Sequence, residues 1–145
     1  MAKEECAMSR MIFVNLPVKN VALATRFYEA IGGRKNDMFS DGTASCIVLS
    51  ETIHTMLLDH KKFKQFTHKK IADAHKVSEV IICISATDKQ EVDSIISKAV
   101  AAGGKSDPSF NQDYGFMYGR SFEDLDGHIW EVMWMDMEAA KQAMG

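Results

Sequence analysis

FEDLDGHIWEVMW, residues 122–134, places an aspartate–glycine pair, Asp126 and Gly127, between two apolar runs. Such a pair supplies the positive-φ positions of a tight β-hairpin. The run that follows is predicted to be a strand whose side chains alternate between faces. Trp130, Val132 and Trp134 share one side, and Ile129, Glu131, Met133 and Met135 share the other. Both faces are mostly apolar, yet Glu131 stands in the middle of one. An ionised carboxylate there pays a desolvation cost unless a cation, a metal or good donors meet it. Glu131 is therefore the first candidate site residue.

Working outward, the chain reads as one unit used twice. RMIFVNLPVKNVALATRFYEAIGGRK predicts a strand over about Met11–Val18 and a helix from about Asn20, with Val21, Ala24, Phe27, Tyr28 and Ile31 on one side, closed by Gly32 and Gly33. SEVIICISATDKQEVDSIISKAVAAGGKS repeats the pattern. It predicts a strand from about Glu79 to Ser85, a cap at Asp88, a helix with Val92, Ile95, Ile96 and Ala99 facing the core, and a closing Gly103–Gly104 pair. Short strand-like runs follow each helix: NDMFS, ASCIVLS and IHTMLLD in the first half, then a run near Ser106, GFMYGRSF and HIWEVMWM in the second. Each half thus reads βαβββ. The expected modules span about 10–60 and 77–136 of a single domain, joined by a basic linker 61–76 and followed by a short helix over 136–144.

With 145 residues and 46% apolar content, the chain has the size and side chains for one ordinary core. A formal net charge of −3 offers no global attraction to nucleic acid or to an anionic membrane, so neither partner is expected. MAKEECAMSR carries charges where an export signal needs an apolar run, and no stretch approaches the ~20 apolar residues of a membrane span. A cytoplasmic location is expected. Cys6, Cys46 and Cys83 are odd in number and widely spaced. They suggest buried or idle thiols rather than a disulfide framework or a C-x-x-C pair.

The paired modules, with NVALATRFYEAIGG in the first and SFEDLDGHIWEV in the second, resemble the vicinal oxygen chelate superfamily of glyoxalases, extradiol dioxygenases and bleomycin-resistance proteins. The resemblance covers nearly the whole chain. One departure is Leu125, where the family usually has the proline of a D-P-D-G turn. The implied fold is α+β, with two βαβββ modules forming a half-open barrel around a funnel for a small-molecule ligand. The resemblance also implies a homodimer, as is common for members near this length.

Metal-dependent members place ligands on the first and last strands of each module, and the last of these, a glutamate, matches Glu131. The other three positions fall on Phe13, Met56 and Ile81, none of which binds a hard divalent ion through oxygen or imidazole nitrogen. No cofactor is therefore expected, and binding of an organic ligand without metal is the leading reading. The alternative is a lactoylglutathione-lyase-like lyase or a dioxygenase. Its divalent metal (Zn, Ni, Mn or Fe) would be held by His54, Glu79 and Glu131, which stand two residues from, or at, the family positions. Whether the protein is an enzyme stays open at this level; Glu131 is the candidate catalytic group.

The ligand-binding candidates are Phe13, Asn15 and His54 from the first module and Tyr114, Tyr118 and Arg120 from the second. In QDYGFMYGRSF, residues 112–122, a strand would set Tyr114, Phe116, Tyr118 and Arg120 on one face, giving an aromatic wall with hydroxyl and guanidinium handles. The linker HKKFKQFTHKKIADAHK carries six Lys against one Asp. Phe63 and Phe66 are expected to anchor it, with Thr67 capping a short helix from His68.

Overall fold

A computed structural model describes residues 9–144. It divides between Ile71 and Ala72 into two compact units, inside the expected basic linker. Cys6 and most of the N-terminal stretch read for an export signal lie outside the described residues.

The first unit runs β1 (Ile12–Val18), α1 (Val21–Ala30), β2 (Arg34–Asn36), β3 (Ala44–Val48), β4 (Ile53–Asp59) and a short α2 (His60–Phe63). The four strands form an open sheet in the order β1-β4-β3-β2. The first strand pairs in parallel with the last, Phe13 opposite His54 and Asn15 opposite Met56. Helix α1 starts where Asn20 accepts a hydrogen bond from the Leu23 N–H at 2.9 Å, leaving one fewer unpaired donor in the first turn. It buries Ala24, Phe27 and Tyr28 against the face of Ile47, Thr55 and Leu57, all themselves buried. NDMFS is a correction: Asp37–Phe39 form a 3-10 turn begun by the Asn36 side chain, and the strand lies before it.

The second unit runs β5 (Ile82–Ser85), α3 (Lys89–Ala101), β6 (Lys105–Ser106), β7 (Gln112–Asp113), β8 (Met117–Glu123), β9 (Ile129–Met135) and α4 (Met137–Met144). Its sheet follows the order β5-β9-β8-β6, with β7 also pairing β8. The pattern repeats that of the first unit, including the parallel pairing of first and last strands. Asp88 caps α3 as expected, accepting from the Glu91 N–H at 2.7 Å. Strand β5 begins at Ile82 rather than Glu79, so Glu79 and Ile81 precede the ladder. The alternation expected along β9 is observed over 129–133, with Trp130 and Val132 buried and Ile129, Glu131 and Met133 half-exposed, but Trp134, expected on the buried side, is half-exposed like Met135.

The linker differs from expectation. Its helix is His60–Phe63, capped by the Asp59 carboxylate, and Phe66 points into solvent rather than anchoring the segment. Thr67 Oγ1 accepts from the Lys69 N–H in a local turn. Among the described residues, no helix is long and apolar enough to cross a membrane.

Candidate functional site

In the second module the β8–β9 connection is a five-residue loop, 124–128, because Glu123 pairs with Ile129. A buried carboxylate organises it: Asp124 Oδ1 accepts from the N–H groups of Asp126 (2.9 Å) and His128 (2.8 Å). Only Gly127 of the Asp–Gly pair takes a positive φ, +92°, and a Cβ there would stand 2.5 Å from the backbone nitrogen of His75. The turn that marks the fold therefore relies on Asp124, whose side chain does the work of a backbone turn, and on the missing side chain of Gly127.

This loop delivers Glu131 to the centre of its sheet. It lies directly opposite Cys83 on β5 and Ser121 on β8, and so shares their face. The carboxyl is half-exposed, and among the described residues it makes no hydrogen bond or ion pair. It therefore keeps part of its hydration, and the burial cost anticipated for a fully apolar face is reduced. Of the two expected readings for the cysteines, buried or idle, Cys83 does not take the buried one: it is exposed. Desolvation first, and the Glu131 charge second, hold its thiol above the ordinary cysteine range. Cys46, in the first module, is buried.

An open depression of about 250 Å³, counting the part continuous with solvent, is lined by Cys83, Gly119, Arg120, Glu131 and Met133 from β5, β8 and β9, by Gln112 of β7 and by Phe110 from the loop before it. The last two arrive through an excursion of the chain. β6 and β7 both pair with β8, at Phe122–Glu123 and at Tyr118–Gly119, so residues 107–111 loop out between them. The Ser109 N–H donates to the buried Ser121 Oγ at 3.0 Å, drawing the loop over the glutamate face. Phe110 at its crest is 96% exposed.

The side chains of Tyr118 and Arg120 leave the opposite face of β8, toward α3, although Arg120 also borders the depression. Tyr118 Oη donates to Asp93 Oδ1 at 2.6 Å and Arg120 Nη1 to the same atom at 3.0 Å. Arg120 also grips Asp107 with two bonds, Nε to Oδ1 at 3.1 Å and Nη2 to Oδ2 at 2.7 Å. Among the described residues, Asp107 is the one non-glycine residue at positive φ, +55°. The Tyr118 and Arg120 bonds lower the Asp93 pKa, while the Asp107 carboxylate raises that of Arg120. Tyr114 and Phe116 precede the strand: Tyr114 is 62% exposed in a turn around Gly115, its ring 6.2 Å from that of Phe116. The expected four-residue wall is thus split between a turn and the helix-covered face.

In the first module, Phe13, Asn15, His54 and Met56 share the face away from α1, as their register requires. The Phe13 ring stacks on His54 at 4.6 Å between centroids. His54 is 7% exposed, and among the described residues its Nδ1 has no hydrogen-bond partner. Phe13 and Met56 offer hydrocarbon and thioether where a metal-dependent relative would offer hard donors. Among the described residues, no three His, Cys, Asp or Glu side chains are gathered to hold a metal ion. The donor set does not fit the metal implied by the resemblance.

No family model and no curated protein sequence matches the chain. Solved structures do. A hypothetical protein from S. aureus superposes with a TM-score of 0.72 at 24% identity, over 90% of this chain and 98% of that one. A glyoxalase/bleomycin resistance protein/dioxygenase family enzyme from Burkholderia phytofirmans PsJN gives 0.70 at 13%, over 88% and 99%. A genomically encoded fosfomycin resistance protein from Listeria monocytogenes gives 0.65 at 17%, over 91% and 98%. The chain has the fold of the glyoxalase/bleomycin-resistance/dioxygenase structures.

A signal for Cys83 was available but faint, whereas Phe110 and Gln112 carried none. The parallel pairing of first and last strands sets Cys83 against Glu131, and Gly119 inside a strand marks a place where the sheet leaves room above it.

Proposed function

We propose that the protein binds a small organic ligand on the glutamate face of its second module, without a resident metal, and that Glu131 is the polar anchor. The observation that carries this reading is Glu131 itself: half-exposed, without a hydrogen-bond or ion-pair partner among the described residues, at the floor of a depression with apolar and amide walls. A few convergent polar groups in a mostly apolar concavity are the usual make-up of a ligand site. Screening a fragment library by NMR on wild type and Glu131→Gln tests it. Hits should cluster on Gly119 and Met133 and weaken at least tenfold in the variant, with a stability change below about 1 kcal/mol. A variant that loses several kcal/mol while binding is unchanged would make the carboxylate structural.

The alternative, a divalent-metal-dependent lyase or dioxygenase using His54, Glu79 and Glu131, has one observation in its favour: the unpartnered Nδ1 of His54. Dialysis against zinc, nickel, manganese or iron followed by metal analysis separates the two readings. Near-stoichiometric tight binding, lost in His54→Ala, would establish the alternative. We further propose a cytoplasmic homodimer, since each sheet is open at its edges. A monomeric mass by light scattering at micromolar concentration would refute the dimer.

A further inference from the structure

We infer that the ligand held at Glu131 is an organic cation: an ammonium or amidinium head on a single-ring apolar body. This rests on the binding-site reading above and adds the charge and shape of the occupant.

Three features converge. The first is unbalanced charge. Glu131 is unpaired among the described residues. The cation in the lining, Arg120, has its guanidinium committed to Asp93 and Asp107, so that group is outnumbered by its own two carboxylates. An anion entering the depression meets the Glu131 carboxylate with no free guanidinium to offset it. A cation meets an acceptor whose hydration is already partly removed. The second is the aromatic rim. Phe110 exposes 96% of its surface, and its ring has no aromatic partner among the described residues. A ring beside a carboxylate is the arrangement that attracts an alkylammonium, whose charge faces the acid while its carbons meet the π-face. Met133 and Cys83 add polarizable walls suited to a ring.

The third is that Phe110 is carried on a strap pinned on both sides. On one side the Asp107 N–H donates to Ser121 O at 2.8 Å, the Asp107 carboxylate is gripped by Arg120, and the Ser109 N–H is held by Ser121 Oγ. On the other, Gln112 and Asp113 join the edge of β8. Phe110 and Asn111 span what is left between these anchors. The ring is therefore presented at the depression rather than on a long free loop, which lowers the ordering cost of using it for binding. The depression is shallow and continuous with solvent, so it offers a place for a head group with one ring lying against the rim and not an enclosure for a drug-sized ligand.

The test is an NMR titration of the full chain with benzylammonium, benzyl alcohol and benzoate, which differ in charge on a common ring. The Met133 methyl and the Phe110 and Gly119 amides report occupancy. Benzylammonium should bind at least tenfold more tightly than benzyl alcohol, and benzoate should not bind. Glu131→Gln should erase the preference for the cation while leaving benzyl alcohol unaffected; Phe110→Leu should weaken both. Benzoate binding as well as benzylammonium, or a preference that survives Glu131→Gln, would overturn the inference while leaving the binding-site reading intact. If no compound of any charge shifts those resonances, the binding-site reading falls and this inference falls with it.

Discussion

The two modules share a plan but finish the strand faces turned away from their long helices in opposite ways. In each, the last strand lies parallel to the first and one face is covered by the module's long helix. In the first module, the other face is closed locally: Phe13 stacks on His54, which is left 7% exposed. In the second, the equivalent face is left open: Glu131 faces exposed Cys83 across the ladder, and the strap of residues 107–111 borders the space without filling it. The same βαβββ chassis thus yields one face dominated by packing and one with an available charge. The difference teaches that the chemistry depends on two or three side chains and on one loop, not on the fold.

The hairpins that deliver these faces differ too, and they supply the largest predicted effect. In the first module, residues 49–52 turn with ordinary backbone angles, helped by Ser50 Oγ accepting from the Ile53 N–H. In the second, Gly127 combines φ +92° with a backbone approach from Ala74 and His75 that leaves no room for a Cβ. Gly127→Ala must both strain the backbone and push that segment away, so we expect a loss of roughly 2–4 kcal/mol in urea denaturation. Ser50→Ala should cost under about 1 kcal/mol. Equal losses at the two turns would break the comparison.

The outline of the molecule was legible because two period-3.6 stretches, each ended by a glycine pair, separate alternating apolar runs. Burial follows that pattern almost residue by residue along β9. What could not be read was parity and partnership. Whether Tyr118 and Arg120 face the ligand side or the helix depends on which side of β8 the helix covers, and a one-residue shift reverses the answer. Asp93 and Asp107 come from distant parts of the chain to claim Arg120, and neither is marked by its local sequence. β7 is a two-residue strand, Gln112–Asp113, held by backbone pairing to β8 rather than by strand-forming side chains. The strap, and with it Phe110, was invisible for that reason.

A smaller effect tests the closed face. His54 Nδ1 is buried without a hydrogen-bond partner among the described residues, and an unpaired buried polar atom costs more than an apolar group of similar shape. His54→Leu is expected to raise stability by about 1 kcal/mol, measured by urea denaturation. A loss of similar size would mean that the imidazole is held by a contact that leucine cannot replace, and the first module's face would then be as chemically active as the second's.

The smallest effect concerns the clamp behind the open face. The pKa of Asp93 is lowered first by the Tyr118 hydrogen bond and then by that of Arg120. A carboxyl whose folded pKa lies below its unfolded value, about 3.9, contributes stability that is present above that value. The contribution disappears as pH falls through the folded pKa. Acid should therefore weaken the tie between α3 and β8 only below about pH 4, and Asp93→Asn should flatten that part of the stability profile. Because the Asp93 side chain is 53% exposed, solvent screens the pair and the change should stay well below about 1 kcal/mol. The strap should hold in the variant, since Arg120 retains its two bonds to Asp107. A large loss of stability, or disappearance of the Ser109–Ser121 hydrogen bond from amide exchange, would show that Asp93 sets the position of Arg120 and through it the open face.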